Sequence, residues 1–216
     1  MRIGVDLGGT KIEAIVLDDD GGEHARIRIP SPQGDYTKTI PAIRDVVADV
    51  SKIAGCDRQT NVGVGIPGAT SPKTGLVKNA NSTWLIGHSL ERDLCDALAR
   101  DIRIDNDANC FAISEAVDGA GKDCNVVFGV ILGTGVGGGI AINGSPLTGR
   151  NAITGEWGHN PMPWPNTESE LPGPSCYCGK TGCIETFLSG PGLQHDHAST
   201  GGENISSTEI VSCAEK

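Results

Sequence analysis

A chain of 216 residues is long enough to bury a sizeable core or to form two modest domains, and 31 glycines with only 4% aromatic residues point to an α/β protein rich in tight turns. A net charge of −10 excludes nonspecific nucleic-acid binding and disfavours anionic membranes, because phosphate neutralisation needs clustered Lys and Arg. No apolar run reaches the length of a membrane span, and Met1 leads into a strand pattern without a charged n-region, so the cytoplasm is the expected compartment.

Arg2 to Leu7 (RIGVDL) is a short apolar strand that delivers Asp6 into the turn Gly8-Gly9-Thr10-Lys11, and Ile12 to Leu17 forms the next strand. Two glycines let backbone N–H groups approach phosphate oxygens, Thr10 adds a hydroxyl, and Asp6 can hold Mg2+ directly or through water. An ordinary β-hairpin is the competing account, and the Walker A spacing is absent. Glu23 to Ile29 alternates as a third antiparallel strand. From Asp35 to Ala54, Ile40, Ile43, Val47, Val50 and Ala54 recur at helical spacing, so an amphipathic packing helix is expected.

Asn61 to Ile66 reads as a buried strand stopped by Pro67-Gly68, a common ligand position in α/β sheets. Lys78 to Trp84 is rich in amides and hydroxyls; it suits a polyol and equally suits a solvated loop anchored by Trp84. Leu90, Leu94 and Leu98 mark a helix, and the strand Ile102 to Ile104 leads into Asp105-Asn106-Asp107-Ala108-Asn109 just before another helix. Asp107 beside a positioning Asn106 fits a general base for a substrate hydroxyl, whereas Asp105 reads as a helix cap.

Asn125 to Leu132 is a long apolar strand followed by Gly133-Thr134-Gly135-Val136-Gly137-Gly138-Gly139. The chain then continues as a strand rather than the helix of a dinucleotide fold, so the segment is a second strand–turn–strand clamp for phosphate. Two such half-sites across a cleft would grip a triphosphate. The half-repeat suggests duplicated α/β domains, 1–115 and 116–216, with the boundary near Ala112 to Ala120.

Cys176, Cys178 and Cys183 stand as C-x-C-x4-C with His159 upstream, a soft four-coordinate set for structural Zn2+ that would pin the loop carrying Glu156 and Glu185. Two disulfides or scattered core cysteines are the alternative, but Cys176 and Cys178 are too close to bridge easily. Cys56, Cys95, Cys110 and Cys124 read as reduced core thiols, and Cys213 has no visible role. His195 and His197 fall in what reads as a solvated loop, and Ser206-x-x-Glu209 is a capping box. The second half-repeat lacks its later strands and helices, the pattern of a truncated chain.

Together DLGGTK, GIPG (Gly65 to Gly68), DNDANC, ILGTGVGGG, GEWGH and CYCGKTGCIE resemble the ROK family of sugar kinases and repressors, on the two-lobed actin/hexokinase-like ATPase (ribonuclease H-like) fold. NANSTWL and GEWGHNPMPW look most like the mannose-tolerant bacterial fructokinases. The resemblance implies transfer of phosphate from ATP to a hexose hydroxyl, fructose first, with glucokinase or N-acetylhexosamine kinase as alternatives. An inactive sugar-binding fragment or regulator is the reading from another class. By position, Asp107 is the base; Gly68, Asn81, Asn106, Glu156, His159 and Glu185 line the sugar, with His159 serving zinc and sugar through separate ring nitrogens. Asp6, Gly8, Gly9, Thr10 and Lys11, with Gly133, Thr134, Gly135, Gly137 and Gly138, embrace Mg-ATP. The family continues past this point with an adenosine-binding segment and a terminal helix, and a homodimer is expected of the full-length chain.

Overall fold

Alternating burial makes the first strand: in β1 (Arg2–Leu7), Ile3, Val5 and Leu7 enter the core. β2 (Lys11–Leu17) buries Ile12, Ala14 and Val16 in the same way, and β3 (Glu23–Pro30) completes an antiparallel meander braced by Glu13 with Arg26 and Arg28. The structure is a computed structural model and describes residues 1–166, 168 and 170–214.

The Asp35 carboxylate then accepts the Lys38 N–H at 3.1 Å and starts α1 (Tyr36–Ala54). Gly55, at φ 68, ends the helix by returning its N–H to Ser51. Ile43, Val46, Val47 and Val50 line its buried stripe, each worth about 1.5–3 kcal/mol on leaving water. β4 (Asn61–Ile66) runs parallel to β1, and the small β5 (Ala69–Thr70) and β6 (Val77–Lys78) hairpin follows. α2 (Leu90–Leu98), with Leu90 and Leu94 buried, leads to β7 (Ile102–Asn106), parallel to β4. The sheet order is β3-β2-β1-β4-β7. Register places Asp6, Gly65 and Asp105 in one row at the carboxyl ends of the three parallel strands, with Asn106 opposite Ile66.

α3 (Asp107–Val117) begins directly at the end of β7. Met1–Cys110 with Thr148–Ile153 form one unit, and Phe111–Leu147 with Thr154–Lys216 the other. In the second unit, β8 (Val126–Leu132), β9 (Val136–Ile142) and β10 (Ser145–Pro146) make an antiparallel sheet in the order β10-β9-β8. Ala112 and Ala116 of α3 pack with Ala141 and Val127, whereas Val126, Phe128, Val130 and Leu132 stay exposed. α4 (Glu185–Leu188), α5 (Gly190–Ser199) and α6 (Ser207–Ala214) follow.

Two expectations are corrected. His195 and His197 lie on α5, not in a loop: Ser189 caps that helix by accepting the Gly192 N–H at 3.1 Å, and Pro191 sits in the first turn, where no N–H is needed. Cys124 is exposed rather than a core thiol, because it lies in the connection between α3 and β8, whereas the free thiols of Cys56 and Cys95 are half-buried against the first unit's core and Cys110 is half-buried. The capping box of α6 forms in both directions, Ser206 N–H to Glu209 at 2.7 Å and Glu209 N–H to Ser206 at 3.3 Å. Among the described residues, no helix is long and apolar enough to cross a membrane.

The hydroxyl of Thr37, with Lys38, holds the Asp35 carboxyl at about 2, below its ordinary 3.8. A carboxyl depressed on folding stabilises above its ordinary value and loses that contribution as pH falls through the folded one. Asp35→Ala is expected to lower the melting temperature near neutral pH, with the gap to wild type closing as pH falls from about 4 towards 2. Thermal denaturation across pH checks this, and a gap that does not change with pH contradicts it.

Candidate functional site

In the first unit the site residues gather where β1, β4 and β7 end. Gly68, just past β4, has φ +108, and a Cβ there would meet the Lys78 carbonyl at 2.7 Å and Ala80 Cα at 2.8 Å. Only glycine allows that approach. The Asn106 amide donates to the Gly68 carbonyl at 2.9 Å, so one hydrogen bond ties the end of β7 to the β4–β5 turn, against which Lys78 and Ala80 pack just before the exposed Asn81. Ser82, next to it, is buried with its hydroxyl unpartnered, 3.3 Å from where a Cβ on Gly9 would lie. The turn Gly8 to Thr10 therefore adjoins the amide-rich loop. Gly8 N–H closes the turn on the Lys11 carbonyl at 2.9 Å, leaving Gly9, Thr10 and Lys11 exposed.

Capping at the head of α3 falls to Asn106, whose side-chain oxygen accepts the N–H groups of Ala108 and Asn109 at 2.9 and 3.3 Å. Asp105, expected to cap, instead accepts from the Asn106 N–H and the Asn109 amide, at 2.7 and 2.8 Å. The reason is register: α3 starts so close to the strand that Asp105 is still within β7. Asp107 remains solvent-accessible and accepts the Ala108 N–H at 2.8 Å. Desolvation raises its carboxyl above the ordinary 3.8; the Ala108 hydrogen bond opposes this, and the charge of Asp6 adds to it. Asp6 is itself raised by desolvation and by Glu13. Cys110 is pushed up to about 11 by burial and by Asp105, Asp107 and Asp6, so this thiol stays protonated and unreactive near neutral pH.

In the second unit the exposed part of the glycine turn is Gly133-Thr134, with Gly135 half-buried, while Gly137 and Gly138 lie within β9. The Glu185 carboxylate is buried and accepts the Val136 N–H at 2.9 Å, and the Gly190 N–H reaches the Gly133 carbonyl at 2.8 Å. Both contacts tie the turn to the α4–α5 segment. Gly155 approaches β9 so closely that a Cβ would lie 1.6 Å from the Gly138 carbonyl, and Trp157 Nε1 donates to the Gly137 carbonyl at 2.7 Å. Exposed Glu156 is thereby fixed between two anchors on the sheet.

His159, Cys176, Cys178 and Cys183 converge, with one ligand atom from each all within 4.8 Å of one another. Cys176 Sγ is 3.6 Å from His159 Nδ1, and Cys178 Sγ is 3.6 Å from Cys183 Sγ. A disulfide needs about 2.05 Å, whereas tetrahedral zinc with bonds of about 2.0–2.3 Å separates its ligands by roughly 3.5–3.8 Å, so the residues present fit zinc. Backbone bonds hold the two ligand segments together: Met162 N–H to Gly182 O and Ile184 N–H to Asn160 O, each 2.9 Å.

Over residues 2–216 the sequence matches the ROK family. The chain belongs to the ROK family. It is 40% identical over 214 residues to the N-acetyl-D-glucosamine kinase of Yersinia enterocolitica, covering 98% of this chain and 70% of that protein. The crystal structure of a ROK hexokinase from Thermus thermophilus superposes with a TM-score of 0.79 at 27% identity, over 97% of this chain and 66% of that one. A ROK glucokinase from Streptomyces griseus, solved with glucose and AMPPNP, gives 0.72 at 31% identity, over 93% of this chain and 62% of that one. This chain thus spans about two thirds of the length of these relatives. The family and its actin/hexokinase-like α/β fold agree with the sequence motifs, but the curated relative is an N-acetyl-D-glucosamine kinase rather than a fructokinase.

Sequence reasoning passed over Ser82 and Tyr177. Both lie inside quoted motifs, yet what each touches depends on contacts to Gly9 and His159 that spacing does not reveal.

Gly155→Ala is expected to destabilise the protein by about 1–3 kcal/mol or more, through overpacking against β9. Gly63→Ala, whose Cβ meets nothing within 4 Å, is the tolerated control in the same denaturation series. Equal stability of the two variants contradicts the close approach.

Proposed function

We propose that the chain acts as a kinase of a hexose, transferring the terminal phosphoryl group of ATP to a sugar hydroxyl. The observation that carries this reading is Asp107, a solvent-accessible carboxylate at the β7–α3 junction whose proton affinity is raised by desolvation and by Asp6. A carboxylate with raised proton affinity is a better acceptor for the proton of a hydroxyl nucleophile than an ordinary one. In the step, Asp107 takes the hydroxyl proton as the sugar oxygen bonds to the γ-phosphorus, and the bridging bond breaks to release ADP.

Asn106 and Gly68 hold the end of β7 against the β4–β5 turn, and Asn81, exposed, would take sugar hydroxyls. The exposed Gly9, Thr10 and Lys11 are suited to phosphate oxygens, with the Gly8 N–H spent on closing the turn, and Asp6 would hold Mg2+, which supplies charge neutralisation when bound. In the second unit, Gly133, Thr134 and Gly135 offer a further exposed turn for phosphate, with Gly137 and Gly138 behind it in β9. By resemblance Glu156, His159 and Glu185 would line the sugar; Glu156 is exposed and His159 half-buried, whereas the buried Glu185 carboxylate already accepts the Val136 N–H. His159, Cys176, Cys178 and Cys183 would hold structural Zn2+, which supplies a rigid tie for that loop.

The 40% identity to an N-acetyl-D-glucosamine kinase makes that sugar the first to test. Fructose is the second, supported by the NANSTWL and GEWGHNPMPW stretches. A coupled assay over a panel of sugars with Mg-ATP is expected to give turnover on one of them. Asp107→Asn should lower kcat on the order of 10²- to 10⁴-fold with little change in sugar KM. The acid limb of kcat/KM should lie above pH 3.8, since the raised carboxyl must lose its proton to act. Full activity in Asp107→Asn contradicts the proposal.

A further inference from the structure

Tyr177 sits in sequence between two candidate metal ligands, Cys176 and Cys178, and carries a side chain that is 78% exposed. Its hydroxyl nevertheless lies 3.1 Å from His159 Nε2, and the two rings meet edge to face with centroids 5.2 Å apart. The other ring nitrogen, Nδ1, is the one 3.6 Å from Cys176 Sγ. An imidazole that gives its Nδ1 lone pair to a metal carries its proton on Nε2, and that N–H needs an acceptor to set the ring plane.

We propose that Tyr177 is a positioning residue for the metal centre: its phenol oxygen accepts the Nε2–H of His159 and so aims the Nδ1 lone pair at the three cysteine sulfurs. This rests on reading the cluster as a zinc site. The contact belongs to the sugar-free protein, in which Tyr177 meets the ring nitrogen that resemblance assigns to the sugar.

The test compares wild type with Tyr177→Phe, which keeps the ring and its edge-to-face contact and removes only the oxygen. Zn2+ affinity is measured by competition with a chromophoric chelator, and the His159 ring nitrogens are followed by 15N NMR in the zinc-loaded protein. Removing an outer partner of a metal-bound histidine costs about 10- to 100-fold in affinity, so the variant is expected to bind Zn2+ at least about tenfold more weakly. Wild type should show Nδ1 bound and Nε2 protonated, with the Nε2–H exchanging faster in the variant.

Unchanged affinity, unchanged exchange, or coordination through Nε2 in the wild type overturns the role of Tyr177 while leaving the metal site standing. A wild type that takes up no Zn2+ overturns both. The wild-type spectrum gives its answer even if the variant folds poorly.

Discussion

The hydrogen bond from the Asn106 amide to the Gly68 carbonyl is the contact that holds the end of β7, where the proposed base sits. Gly68 itself adopts φ +108 and carries no side chain, so the backbone at Lys78 and Ala80 can close on it. The same Asn106 caps α3 through its side-chain oxygen. One side chain therefore both caps the helix as it leaves the strand and ties the strand end to the β4–β5 turn. Asp107, the first residue of that helix, has its place fixed by both.

The two units are stabilised differently. In the first, β1, β2 and β4 share with α1 and α2 a continuous core that includes Leu7, Ile12, Ile43, Ile66, Leu85, Leu90 and Leu94, all essentially inaccessible. The apolar cluster of the second is small, Ala112, Ala116 and Ala141 with Val127 beside them. Zinc held there by one histidine and three cysteines would contribute folding free energy that so few methyl groups cannot. Glu185, two residues after Cys183, places its carboxylate on the Val136 N–H, so order imposed at the cysteines is transmitted to the glycine turn.

Much of this was legible in the chain. Strand boundaries at Arg2–Leu7 and Asn61–Ile66 follow from apolar alternation over a half-buried sheet, and α1 from a helical apolar repeat. The Cys-x-Cys spacing announced the cluster because two cysteines that close can share a metal far more easily than they can bridge. Other features were not legible, for physical reasons. Asp105 and Asn106 are both good caps, and only the register of β7 decides between them. Gly190-Pro191-Gly192 has the composition of a turn, yet proline is tolerated in the first turn of a helix and Ser189 supplies the cap for α5. The partner of His159 Nε2 depends on how residues 176–183 fold back, which no pairwise spacing states. Sugar identity is decided by a few contacts to ring substituents, and motifs shared across a family are those that do not vary with the sugar.

The central claim is that Asp107 is the group that meets the acceptor hydroxyl of a hexose. A crystal structure of the protein with its preferred sugar bound tests it most directly, through the distance from the Asp107 carboxylate to the sugar oxygens. The account predicts one hydroxyl within about 2.6–3.2 Å of that carboxylate. A sugar bound with its hydroxyls on other carboxylates and Asp107 out of hydrogen-bond reach would contradict it.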